Sequence, residues 1–244
     1  MSPAFKPEAL TCPEPSTCTV AIGALTDLAR KGQLPSTSIS ADTAWSRVYD
    51  SRFGRTEFNP GFGNARFSPF DSELAVNRVA VIYLAGTPEA ALLEGSLRDV
   101  NAYGIPEAEE ERFHGLLHVE LLASEYMKVA DFRDPQLDDL GLKRTAISSS
   151  PSQHYPCTRT VAKAIHASPQ NFSGIIWHSR QAEVSRLPRV PVIVLFEERL
   201  ARGRDAFRLN PGRDSIGSLY EGEGRVQLDT LLDRLGVSVV DYWD

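Results

Sequence analysis

Between residues 45 and 94, charge and aromatic rings alternate with apolar runs, and one carboxylate, Glu94, occupies a position suited to chemistry. Leu93, Leu97 and Val100 recur at i, i+4 and i+7, so Glu94 lies at the edge of a helical apolar stripe, where it is half-buried or lines a cleft. Arg47 and Arg66 flank the same stretch in a chain that carries 21 Arg and only 5 Lys. That bias reflects either genome composition or a need for bidentate phosphate contacts, which a guanidinium makes and an ammonium does not.

Several familiar chemistries are absent. Gly61-Phe62-Gly63-Asn64-Ala65-Arg66 begins like a dinucleotide fingerprint, but its sixth place is Arg and it follows a loop instead of a strand. There is no Walker loop, no Gly-x-Ser-x-Gly elbow and no His-Glu-x-x-His. His114 and His118 stand four apart without a third ligand and read as ordinary histidines. Cys12, Cys18 and Cys157 are odd in number and lack a metal spacing, so they read as free thiols, and no metal site is expected.

The elements that position Glu94 are local and legible. Val79 to Leu84 is a β-branched apolar run that ends near Gly86, as a buried strand does. Thr87 and Pro88 suit the N-cap and first position of a helix extending to about residue 102, with Glu89 in its first turn. Upstream, Ala44 to Tyr49 reads as a strand. Asp50 to Asn77, with five Phe among Gly, Pro and Asn, reads as a long ordered loop held by its aromatics.

Elsewhere, residues 1–19 have the composition of an arm, and Val20 to Lys31 has helical spacing before a Pro/Ser/Thr loop at 35–43. Glu107 to Glu111 reads as a solvated turn, and residues 116–129 as one half-buried strand broken from Val129 onward. Gln136 to Leu142, Thr158 to Ala167 and Val226 to Leu235 read as helices, and Ile175–Trp177, Val192–Phe196 and Val237–Val240 as strands. Residues 201–224 read mostly as loop. The mixture predicts an α+β fold, a single domain with a central mixed sheet flanked by helices.

Taken together, Arg47, Asn59-Pro60-Gly61, Ala65-Arg66-Phe67, Tyr83, Glu94 eleven residues later, and Gly174-Ile175-Ile176-Trp177-His178-Ser179-Arg180 resemble the RES domain family over residues 44–200. That family is named for its Arg, Glu and Ser, and its characterised members are bacterial toxins that consume NAD. The resemblance implies an ADP-ribosyltransferase-like fold, with an arm and short helix at 1–40 and the domain with a C-terminal extension at 41–244. It implies NAD as substrate, no resident cofactor, and cleavage of the nicotinamide–ribose bond, with phosphate as co-substrate or water or a protein as acceptor. A cognate antitoxin of the Xre type, a small DNA-binding protein, and a homodimer are the partners it implies.

On that reading Glu94 stabilises an oxocarbenium-like ribose, as the carboxylates of glycosidases do. Arg66 and Arg47 clamp the pyrophosphate, Tyr83 packs on nicotinamide or ribose, and Ser179 hydrogen-bonds ribose or phosphate. Glu94, Arg66 and Ser179 are the expected catalytic residues; Arg47, Arg66, Tyr83 and Ser179 are the expected NAD-binding ones. Ala65 replaces a usual Gly, which would strain any turn needing positive φ there. Val48 stands where some members carry Tyr, and Tyr49 would face the other side of the strand. The readings that compete are an ADP-ribosyltransferase acting on a protein and a nucleotide-binding regulatory module without turnover. The 1–40 arm is a second candidate for restraining such an enzyme by folding over its cleft.

Length and composition agree with one domain: 244 residues, 42% hydrophobic and 24% charged. The net charge of −6 argues against direct nucleic-acid binding or a membrane-surface role. Without an apolar leader or an 18-residue apolar run, the expectation is a cytoplasmic protein.

Overall fold

The computed structural model describes residues 10–74, 77–98, 106–211 and 217–241. Its elements in order are α1 (Ile22–Lys31), β1 (Ser36–Ile39), β2 (Ala44–Asp50), β3 (Val81–Ala85), α2 (Pro88–Glu94), β4 (Glu107–Glu109), β5 (Leu116–Ala123) and β6 (Met127–Asp131). There follow α3 (Gln136–Asp139), α4 (Tyr155–His166), β7 (Gly174–His178), α5 (Arg180–Val184), β8 (Pro191–Phe196), β9 (Phe207–Leu209), β10 (Gly217–Ser218), α6 (Gly222–Leu235) and β11 (Ser238–Val240).

Nine strands form one mixed sheet in the order β1-β6-β7-β8-β3-β2-β5-β10, with β9 also on β5. All the pairs in it are antiparallel except β6 with β7. The fold is therefore the expected α+β domain with a central mixed sheet. Side chains alternate across it with the period of two that strands impose. Ile175, Trp177, Val192, Val194 and Phe196 pack with α1, α4 and the loop phenylalanines Phe67 and Phe70. Their neighbours Ile176, Ile193 and Leu195 face the other way, in a cluster that joins Ile39 and Met127 to Val119, Leu121 and Phe207. Strands from both ends of the sheet order meet in that second cluster, so the sheet curls and covers much of its own inner face. A third cluster lies between α2 and α6.

Several sequence expectations are corrected. Residues 35–43 contain the edge strand β1, paired with β6 from Ser36↔Ala130 to Ile39↔Met127. With α1 packed on α4 through Leu25 and Ala29, residues 22–39 belong to the body of the domain and not to an arm. The single strand expected at 116–129 is two, β5 and β6, and Val129 to Asp131 lies inside β6. The acidic run at 107–111 is β4 and a 3-10 turn. β4 pairs in parallel with β11, so the last strand belongs to a separate two-stranded sheet. Helix α2 stops at Glu94, before Gly95, instead of running to 102. Leu97 is nonetheless buried beside Leu93; Val100 lies outside the described residues. Among the described residues no helix is long and apolar enough to cross a membrane.

Candidate active site

Strand β3 ends at Ala85, and Thr87 caps α2 by accepting a hydrogen bond from the Ala90 amide at 3.2 Å, with Pro88 at the first helical position. This cap fixes where a seven-residue helix starts, and therefore where its last side chain, Glu94, emerges. Glu94 lines a cavity of about 330 Å³ with Ser46, Val48, Arg66, Tyr83, Arg98 and Trp177 among its walls. Glu94 is the one carboxylate lining it among the described residues, and Arg66 and Arg98 are the cations. Ser179 approaches from behind: its Oγ donates to Glu94 Oε1 at 2.6 Å while accepting from the Ala182 amide at 3.0 Å as the N-cap of α5.

Arg66 belongs to a loop held from several sides. Its Nη1 donates to the Ile147 carbonyl at 3.2 Å and to the Ser150 carbonyl and hydroxyl at 2.9 and 2.7 Å. Its guanidinium lies 5.2 Å from the centre of the Tyr155 ring. Thr158 donates to the Arg66 carbonyl, and Arg159, buried in α4, donates to the Ala65 carbonyl and the Asn64 side chain. Burial lowers the Arg66 pKa, against the opposing pull of Tyr155 and Glu94. Ala65 is not among the residues with positive φ, so the Gly-to-Ala departure brings no strain; Gly61, at φ +116, and Gly63, at φ +85, carry the left-handed positions. Asn59 shapes this turn by accepting from the amides of Gly61 and Phe62 at 2.9 and 2.7 Å.

Tyr83 is half-buried on the cavity face of β3. Its hydroxyl accepts from the Phe67 amide at 3.2 Å and lies 3.1 Å from Ser68 Oγ, which ties the loop to the sheet. Burial raises its pKa, so it is a neutral phenol. Trp177 stands edge-on to both Tyr83 and Phe67, at 6.2 and 4.9 Å between ring centres.

Of the sequence-derived site residues, Glu94, Arg66 and Tyr83 line the cavity, and Ser179 touches Glu94 without lining it. The structure separates Arg47 from them. Ser46 and Val48 face the cavity, while Arg47 and Tyr49 point to the other side of β2, as alternation requires. There the Arg47 fork donates to the carbonyls of Gly54, Arg55 and Glu57 and lies 5.4 Å from the Tyr49 ring centre. Burial lowers its pKa to about 10, so it stays charged at neutral pH. In this geometry Arg47 braces the loop and Ser179 holds a carboxylate.

Arg98, Arg159, Tyr155 and Trp177 were not anticipated as site residues. Arg98 stands four residues after Glu94, a helical spacing that could have revealed it, and its Nε and Nη2 donate to the Glu94 carbonyl. Arg159 meets Asn64 across 95 residues of sequence, for which no local signal exists. No histidine or cysteine lines the cavity among the described residues, and none of residues 10–40 is among those that line it. His114 and His118 do not share a helix face: His114 packs edge-on against Tyr220, and His118 is buried in β5. The three cysteines are a different matter, since the fold collects them with His154 into one cluster whose ligand atoms lie within 4.8 Å of one another. All three are free cysteines, as expected, and the proximity that groups them is tertiary and absent from their sequence spacing.

No curated protein matches the chain in sequence. A solved structure that resembles it belongs to the crystal structure of the M. tuberculosis MbcT-MbcA toxin-antitoxin complex. The likeness has a TM-score of 0.55 at 16% identity, covering 85% of this chain and 98% of that one. At that identity the likeness is one of fold. The family model of the RES domain matches residues 39–212, a span that takes in Glu94, Arg66, Tyr83 and Ser179 alike, and the chain belongs to the RES domain family.

Proposed function

We propose that the protein is an NAD-consuming enzyme that cleaves the bond between nicotinamide and ribose, and that it is the toxin of a toxin–antitoxin pair. The observation that carries the reading is the single carboxylate among the described residues of the cavity wall, hydrogen-bonded by Ser179, in a cavity also lined by Arg66, Arg98 and the aromatic rings of Phe62, Tyr83, Tyr155 and Trp177. NAD already carries a cationic leaving group, so nicotinamide departs neutral and no strong general acid is required. As the C1′–N bond breaks, its electron pair leaves with nicotinamide, and positive charge spreads over C1′ and the ring oxygen of the ribose. A fixed carboxylate interacts more strongly with that charge than with the ground state, which is differential stabilisation of the transition state.

Tyr83 and Trp177 supply the aromatic wall for nicotinamide or ribose. Arg66, with Nη1 anchored on residues 147 and 150, presents the rest of its fork, and Arg98 adds a second cation at the same cavity. Arg47 and Ser179 act as positioning residues, the first on the loop that carries Asn59 and the second on Glu94. Attack of a phosphate oxygen on C1′ gives ADP-ribose 1″-phosphate; attack of water gives ADP-ribose and a proton. A protein side chain as acceptor would make the enzyme an ADP-ribosyltransferase. The RES family and the toxin–antitoxin complex of similar fold support the toxin role and a protein antitoxin that holds the enzyme in check.

The test is nicotinamide release by the purified chain, with and without phosphate. Glu94→Gln keeps the shape and removes the charge, so turnover should be abolished while NAD affinity stays within about tenfold, roughly 1.4 kcal/mol. An unchanged kcat in this variant would sink the assignment. Label retained on protein instead of appearing in a small molecule would identify the transferase.

A further inference from the structure

Where the N-terminal segment crosses the start of α4, four metal-competent side chains converge. Cys12 Sγ lies 3.8 Å from His154 Nδ1, and Cys18 Sγ lies 3.6 Å from Cys157 Sγ. All four ligand atoms fall within 4.8 Å of one another, and the cluster contains every cysteine of the chain. A disulfide would bring two sulfurs to about 2.0 Å. Zinc held tetrahedrally, at about 2.3 Å from sulfur and about 2.0 Å from imidazole nitrogen, gives ligand–ligand edges of roughly 3.5 to 3.8 Å. The two close separations match those edges.

We propose that Cys12, Cys18, Cys157 and His154 form a Cys₃His zinc site that clips the N-terminal segment onto α4. Four protein ligands leave no open coordination position, which makes the site structural and not catalytic. Binding converts three thiols to thiolates and releases their protons to solvent. His154 and Cys157 are buried, and Cys12 and Cys18 are half-buried, so the metal would be shielded from chelators.

The segment has a need for such a clip. Residues 10–20 contain neither helix nor strand. Among the described residues, its hydrogen bonds to backbone of the body run from Thr19 to the Thr145 carbonyl and from Ala21 to the Ala146 carbonyl, both beyond Cys18. Before that point it is attached through the side chains of Leu10, Cys12 and Cys18. The ligands come from segments 142 residues apart, a closure whose entropy a zinc–thiolate cluster can offset. The clip also bears on the cavity. Between His154, just before α4, and Cys157 in its first turn stands Tyr155, whose ring lies against the Arg66 guanidinium, and directly after them come Thr158 and Arg159, which hold the Arg66 loop.

The test uses the full chain purified in reductant without chelator. Elemental analysis should find about one zinc per chain. The Cys12→Ser, Cys18→Ser double variant should hold less than about a tenth of that while keeping its far-ultraviolet circular dichroism, since the body does not depend on those side chains. His154→Ala should weaken retention against a competing chelator at least about tenfold, and His154→Cys should restore it, because zinc accepts Cys₄ as readily as Cys₃His. If the variants fail to fold, cobalt(II) in the wild type decides alone. Intense visible bands with sulfur-to-cobalt charge transfer indicate a tetrahedral thiolate site, and weak octahedral bands overturn the proposal. So would a wild-type chain that takes up no zinc on titration, a double variant that retains its zinc, or a Cys18–Cys157 disulfide in protein lysed under alkylating conditions.

Discussion

Substituting Ser179 with Ala removes one hydroxyl that serves two masters, and the two losses are separable. The bond from Ser179 Oγ to Glu94 Oε1, at 2.6 Å, is charge-assisted and shielded, since Ser179 is 1% exposed. Hydrogen bonds to a charged group contribute about 1.5–3 kcal/mol. If that energy is expressed as correct placement of Glu94 in the transition state, kcat should fall by roughly 10- to 150-fold. The same hydroxyl caps α5, and loss of an N-cap costs about 1 kcal/mol, a fall in Tm of about 2–4 °C for a domain of this size. Glycine is nearly neutral at an N-cap, so Ser179→Gly should lose as much activity as Ser179→Ala at a smaller cost in stability. The assay is nicotinamide release at saturating NAD, with thermal unfolding run on the same samples. A raised KM with unchanged kcat would mean that Ser179 binds substrate directly, and no loss of activity in either variant would refute the positioning role.

Three further outcomes follow from the geometry. Arg66→Lys should raise KM at least about tenfold, roughly 1.4 kcal/mol, because an ammonium cannot hold Ile147 and Ser150 and still present a fork; unchanged kinetics would remove Arg66 from the phosphate site. Burial holds His118 down at about 4, below its unfolded value of about 6.5, so the unfolded chain takes up the proton first. The neutral His118 therefore contributes fully above pH about 6.5, and about 3 kcal/mol is lost as the pH falls towards 4. Urea unfolding at pH 7.5 and 4.5 should show that difference and His118→Leu should reduce it; equal slopes in both proteins would contradict it. Gly61→Ala should destabilise the chain by about 1–3 kcal/mol, since a Cβ at φ +116 would sit 2.0 Å from Arg78 Cδ; a denaturation midpoint that does not move would show that Arg78 gives way freely.

The sequence by itself determined what depends on neighbours along the chain. Apolar runs located β3, β7 and β8; the Thr87-Pro88 pair located the start of α2; and together they put Glu94 on the helix of a strand–turn–helix unit. The α+β class followed from the mixture of elements, and the spacing from Arg47 to Ser179 carried the family. Element ends set by a single residue were harder to read: Gly95 halts α2 while Leu97 stays buried, so the apolar pattern outlasts the helix. Polar β1 is a strand only because β6 offers it a ladder, and periodicity does not record a partner 90 residues away. Which side of β2 faces the cavity was implicit in its alternation, but the cavity itself was not: Ser46 and Val48 line it, and Arg47 meets the carbonyls of Gly54, Arg55 and Glu57 on the other side. Tertiary structure alone paired Ser179 with Glu94, brought Arg159 to Asn64, and gathered Cys12, Cys18, His154 and Cys157 into one cluster. Each of those contacts joins side chains 85 or more residues apart in at least one pair, held by packing of the sheet against α4 and α5, and no local pattern encodes such packing.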